Sequence, residues 1–152
     1  MPVLGLLGSA LPITGYAVKA AATMVDGQTI FTVAGSPILI HALVSLCVTS
    51  NGATASTLQY SVTPTTGAGA QTISAASASL ANATAGASVT LAGTALATAA
   101  LYNANGPNLI ANPSTIFCPI GTITMVIGTG STTGTWEHHI LYSMLGNGAI
   151  VS

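Results

Sequence analysis

The densest group of side chains able to do chemistry is Trp136-Glu137-His138-His139. Imidazole and carboxylate are ordinary ligands of zinc and also serve as general acids and bases. On an extended strand, successive side chains point to opposite faces. His138 and His139 therefore diverge, while Glu137 and His139 share a face. A metal centre needs more ligands than this pair supplies, unless a symmetric oligomer gathers several copies around an axis. The spacing predicts a strand with one buried and one exposed histidine, and no bound metal.

Catalysis has little else to draw on. Asp26 and Glu137 are the only acids, and nothing around them in sequence suggests the pKa tuning that paired-carboxylate chemistry requires. Serines abound, but no G-x-S-x-G nucleophile elbow is present. The run Gly128-Thr-Gly-Ser-Thr-Thr-Gly134 lacks the Lys and the following helix of a phosphate-binding loop, and reads as a hairpin loop. Cys47 and Cys118 are too few for a disulfide framework; they are either two small buried hydrophobes or a single bridge between strands. The expectation is a protein that is not an enzyme and holds no cofactor.

Composition narrows the field further. Lys19, Asp26 and Glu137 are the only permanently charged side chains, 2% of the chain, against about one-quarter in ordinary domains. Phosphate binding needs clustered Lys and Arg, so nucleic acid is not an expected partner. Mean hydropathy is +0.74, yet the longest apolar run, residues 37–48, is shorter than the roughly 20 residues of a membrane-spanning helix. At 5% aromatic the chain also lacks the material for the aromatic girdles of a membrane barrel, so no membrane association is expected. The apolar residues 1–10 look superficially like a secretion signal but have no Lys or Arg before the apolar run. With so few charges, the surface is either built from Thr, Ser, Asn, Gln and Gly or covered by other subunits.

The elements that must position these residues are strands. Residues 1–27 hold no sustained period and are broken by Gly5, Gly8, Pro12 and Gly15; they read as an extended arm, with a short helix permitted over 16–24. Residues 28–33 alternate, Ala34-Gly35-Ser36-Pro37 turns the chain, and 38–48 is apolar on both faces. Asn51-Gly52 suits a reversal into 56–63, which predicts a hairpin. Short strands follow near 71–74, 88–91 and 95–101, with 75–87 left as loop and 103–113 as an Asn- and Pro-rich loop. Residues 115–118, 121–127 and 135–145 close the series, the last with Trp136, His138, Ile140, Tyr142 and Met144 on one face. Short strands between Gly, Pro and Asn clusters predict an all-β fold, a single β-sandwich or jelly-roll-like domain over 28–152 with residues 1–27 as its arm.

Two stretches carry a resemblance. One is the strand pair Ile30-Phe-Thr-Val-Ala-Gly-Ser-Pro-Ile-Leu-Ile-His-Ala-Leu43 with the hairpin expected after it; the other is Gly134-Thr-Trp-Glu-His-His-Ile-Leu-Tyr142 ahead of a closing Gly-Asn-Gly-Ala turn. In this pattern the chain resembles small virion proteins of tailed bacteriophages, in particular head decoration (cement) proteins. The resemblance implies a β-rich, non-enzymatic homo-oligomer, a trimer in many such proteins, seated on the virion capsid surface and bridging major capsid protein subunits. Its contact residues are then expected in the arm (Leu4, Leu6, Leu7, Leu11, Ile13 and Tyr16) and, for the oligomer core, within 38–48 and 136–145 (Leu39, Leu43, Trp136 and His139). The alternative is a tail or fibre component that binds a receptor or glycan through its Thr/Ser/Asn loops.

Overall fold

The structure, a computed structural model, describes residues 15–67, 69–91, 96, 98–104, 115–128 and 131–152. Its strands are β1 (Gly15–Val25), β2 (Thr29–Ala34), β3 (Ile38–Cys47), β4 (Leu58–Pro64), β5 (Gln71–Thr72), β6 (Ser88–Thr90), β7 (Leu101–Asn103), β8 (Ile116–Cys118), β9 (Gly121–Ile127), β10 (Ser131–Met144) and β11 (Ile150–Val151). They form two antiparallel sheets. One runs β1-β10-β3-β6-β7, with β8 paired to the same edge of β3 beyond β6; the other runs β11-β2-β9-β4-β5. The expected all-β sandwich is what forms.

The core lies between the sheets. Alternation turns Trp136, Ile140, Ile38, Ile40 and Leu43 inward from the first sheet and Phe31, Val33, Leu58, Tyr60, Ile123 and Met125 inward from the second. Burying one such large side chain contributes about 1.5–3 kcal/mol, so this layer dominates the fold's stability.

Four expectations are corrected. The stretch 16–24 is neither helix nor arm: β1 pairs along β10 from Gly15↔Tyr142 to Val25↔Ser131. Its Ala residues favour a helix locally, but ladder hydrogen bonds and burial of Met24 outweigh that small propensity. The arm boundary expected at residue 27 is therefore too late, and residues 1–14 lie outside the described residues.

The second and third concern hairpins. β3 and β4 belong to different sheets, as do β9 and β10, so neither 51–52 nor 128–134 closes a hairpin. Neither Asn51 nor Gly52 has positive φ. Instead the Asn51 side chain ties the crossover to the start of β10. Its Oδ1 accepts from Thr133 N at 2.9 Å and Gly134 N at 3.0 Å, while its Nδ2 donates to Leu80 O at 2.9 Å. Gly134 is required there, since a Cβ would run into the backbone of Thr49 and Ser50.

The fourth concerns β3. Its inward residues are Ile38, Ile40, Leu43, Ser45 and Cys47, while Leu39, Val44 and Leu46 are only part-buried on the outer side. Strict alternation would put Val44 and Leu46 with Ile38. The ladder passes from Leu141↔Ala42 to Tyr142↔Ile40, leaving His41 as one extra residue. Such a bulge flips every later side chain to the other face.

Candidate interaction surface

The outer face of the first sheet is assembled from four strands. β1 contributes Tyr16 and Val18, β10 contributes Glu137, His139 and Leu141, β3 contributes Leu39, Val44 and Leu46, and β8 contributes Phe117. Tyr16 and Phe117 are each 59% exposed. Of the contact residues expected from sequence, Tyr16, Leu39 and His139 come together on this face. Leu43 and Trp136 do not: both are fully buried between the sheets and serve the core. Leu4, Leu6, Leu7, Leu11 and Ile13 lie outside the described residues. Phe117 and Leu141 join them without being among the expected contacts: Phe117 sits on a three-residue strand that gives no periodicity to read, whereas alternation alone places Leu141 on the face of Glu137 and His139.

Polar groups on this face form one short chain. Tyr16 Oη lies 2.6 Å from His139 Nδ1, with the two rings stacked at 5.9 Å. His139 Nε2 lies 2.7 Å from Glu137 Oε1, a close charge contact that is not directed along a hydrogen bond. A neutral imidazole accepts at one nitrogen only. Where Tyr16 donates to Nδ1, the ring proton sits on Nε2, on the side of Glu137. Glu137 and His139 share this face as the period of two requires, and His138 faces inward. Among the described residues no group of three or more His, Cys, Asp or Glu converges as a metal site.

A second chain of polar groups crosses the core. His138 Nδ1 lies 2.7 Å from Ser45 Oγ, Ser45 Oγ lies 2.9 Å from Tyr60 Oη, and Tyr60 Oη donates to Val89 O at 3.1 Å. A carbonyl only accepts, so every proton runs one way. Tyr60 donates to Val89, Ser45 to Tyr60, and His138 Nδ1–H to Ser45. The tautomer of His138 follows from this. Burial foremost, then the positive charge of His139 when protonated and of Lys19, lowers the His138 pKa to about 4, so it stays neutral near pH 7. The chain pins Tyr60 of the second sheet to the first.

Both Ser–His contacts are closed to a substrate. Ser45 is 0% exposed, and Ser143, whose Oγ sits 2.6 Å from His41 Nε2, is 1% exposed. Reaching either hydroxyl requires displacing packed side chains. The cysteines are also settled: Cys118 pairs with Ile38 while Cys47 stands nine positions further along β3. That is about 30 Å at strand spacing, against the roughly 7 Å limit of a disulfide; both are free and buried.

What this arrangement offers is a surface. It carries exposed apolar side chains beside one acid and one imidazole already in contact with each other. No family model, curated protein or solved structure matches the chain.

Proposed function

We propose that this protein is a non-enzymatic structural component of a bacteriophage virion, a homo-oligomer that decorates the capsid by bridging major capsid protein subunits. The observation that carries the reading is the pairing of a rigid β-sandwich with an outer sheet face of Tyr16, Val18, Leu39, Leu141 and Phe117, in a chain with three permanent charges. A freely diffusing domain keeps itself dispersed with about 25–35% charged surface; this one is suited to being covered.

Energetics favour a lattice over a single contact. Burying about 300 Å² of apolar area contributes about 7 kcal/mol, while association costs about 4–15 kcal/mol. One copy on one site is therefore marginal. An oligomer that touches several capsid subunits converts the later contacts into intramolecular ones and gains avidity. The sequence resemblance to head decoration proteins points the same way.

Attachment driven by apolar burial is nearly indifferent to salt, because few charges are there to screen. Purified particles washed in 0.05 M and then in about 1 M NaCl are expected to retain the same copy number by quantitative mass spectrometry. Release by salt alone, or a copy number of only a few per particle, counts against capsid decoration, and the latter favours the tail or fibre placement.

A further inference from the structure

We propose that Asn147 is a site of spontaneous covalent modification, at which the side-chain amide closes on the backbone of Gly148 and is converted to an acid. The proposal stands independently of the functional reading.

The dipeptide Asn-Gly occurs at 51–52, 105–106 and 147–148; residues 105–106 lie outside the described residues. In such a pair the backbone nitrogen of the glycine attacks Cγ of the asparagine. A C–N bond forms, and the amide nitrogen departs as ammonia with the proton that the glycine nitrogen gives up. The product is a five-membered succinimide. Water then opens the ring at either carbonyl, giving aspartate or isoaspartate, and no further reactant is consumed. Glycine suits the step because it has no Cβ to obstruct the approach of the nitrogen.

The two described pairs are opposites in geometry. Asn51 is 6% exposed and is held at both ends of its amide. Its Oδ1 accepts from Thr133 N and Gly134 N, and its Nδ2 donates to Leu80 O. The attacking nitrogen is engaged as well, since Gly52 N donates to Thr133 Oγ1 at 2.6 Å. A Cβ on Gly52 would stand only 2.8 Å from that same oxygen. Turning Cγ toward Gly52 N therefore breaks several buried hydrogen bonds in a site with no room for the ring.

Asn147 has none of these restraints. It is exposed, in the turn between β10 and β11. Among the described residues no hydrogen bond engages its side chain or the Gly148 N–H. Gly148 adopts φ 86°, and a Cβ there would meet nothing within 4 Å, so the ring has space to close. The turn borders an open hollow of about 390 Å³ lined by Met144, Leu145, Gly146, Asn147 and Gly148, which gives water access to the carbonyls.

Conversion matters more here than in an ordinary domain. It adds one negative charge to a chain whose formal net charge is -1, beside Met144 and Leu145, each 43% exposed. The isoaspartate form also lengthens the backbone by one carbon just before β11, which is tied to β2 through Ile150↔Ala34.

The test incubates the purified full chain in mildly alkaline buffer and reads conversion residue by residue, by peptide mapping with mass spectrometry. Residue 147 is expected to accumulate aspartate and isoaspartate, and Asn51 to convert at least about 100-fold more slowly, because its barrier includes the lost hydrogen bonds. In denaturing urea the two rates are expected to become similar, which assigns the difference to the fold. Asn147→Gln, whose longer side chain cannot form the five-membered ring, is expected to lose the acidic band of the full chain that maps to residue 147 in isoelectric focusing. Equal native rates at Asn51 and Asn147 overturn the proposal. So does an Asn147 that stays intact while a short peptide containing Gly-Asn-Gly-Ala converts.

Discussion

The imidazole of His138 is buried, neutral, and committed through its Nδ1 proton to Ser45, and this makes stability depend on pH in a definite direction. Its folded pKa is about 4, below the ordinary value of about 6.5. The unfolded chain therefore takes up the proton first as pH falls. The stabilising effect is complete above about pH 6.5 and is lost progressively down to about pH 4, a difference of about 3 kcal/mol. With only two acids and three histidines in the chain, few other groups obscure the slope. Urea denaturation from pH 7 to 4 is expected to show this loss and His138→Gln to flatten it; equal slopes would remove His138 as the cause. At the other end of the chain, Tyr60→Phe leaves the Val89 carbonyl and the Ser45 hydroxyl without their partner. The expected cost is about 1–3 kcal/mol at pH 7, and a loss below a few tenths would mean that the crossing bonds do not hold the sheets together.

Among the elements, β1 is the one whose chemistry is least expected from its composition. Eleven residues long and outermost in its sheet, it offers the kind of free edge that invites pairing with another chain. Lys19, the only Lys or Arg in the protein, sits in its middle, paired with the inward-facing His138 and beside the bulge that shifts the register before Ala22. Replacing it with Val supplies a β-branched apolar residue and removes the inward charge. Lys19→Val is expected to aggregate with concentration and time in light scattering, while Lys19→Glu stays dispersed. Identical behaviour of the two variants would assign edge protection to the bulge alone. The β2–β3 connection shows a different constraint. Gly35 adopts φ 77°, and a Cβ there would collide with the Gly148 carbonyl. Gly35→Ala is therefore expected to lower stability by more than about 1 kcal/mol, measured by chemical denaturation.

At the scale of the molecule, the two sheets are stitched together by the chain itself. Among the described strands only β4–β5 and β6–β7 are paired neighbours in sequence; the β1–β2, β2–β3, β3–β4, β5–β6, β8–β9, β9–β10 and β10–β11 connections cross between sheets. Opening one sheet therefore opens the other, and the core is expected to exclude reagents until it unfolds globally. Burial raises the Cys118 thiol to about 12 and pushes Cys47 upward despite its backbone contact at Asn51, which leaves little reactive thiolate. Thiol titration is expected to detect almost nothing in the native protein and two thiols per chain after denaturation. Rapid native labelling would contradict the closed sandwich.

The amino-acid order alone determined which segments are strands from β2 to β4 and from β8 to β10, because alternation of Ile, Val and Tyr with polar residues and the Gly and Pro breaks between them are local signals. It likewise determined that His138 and His139 face opposite ways and that Glu137 accompanies His139. Only the tertiary structure decided which strands pair, for sheet membership depends on contacts far apart in sequence that no short window contains. That is why Asn51-Gly52 looked like a hairpin and is a side-chain knot between β10 and the Leu80 loop. The bulge at His41 is equally invisible in sequence, yet it sends Val44 and Leu46 outward and Leu43 inward. Trp136 and Leu43 belong to the core and Phe117 and Leu141 to the surface because the second sheet covers one face of the first. Apolarity says only that a side chain is driven out of water; which neighbour covers it is a property of the packed fold.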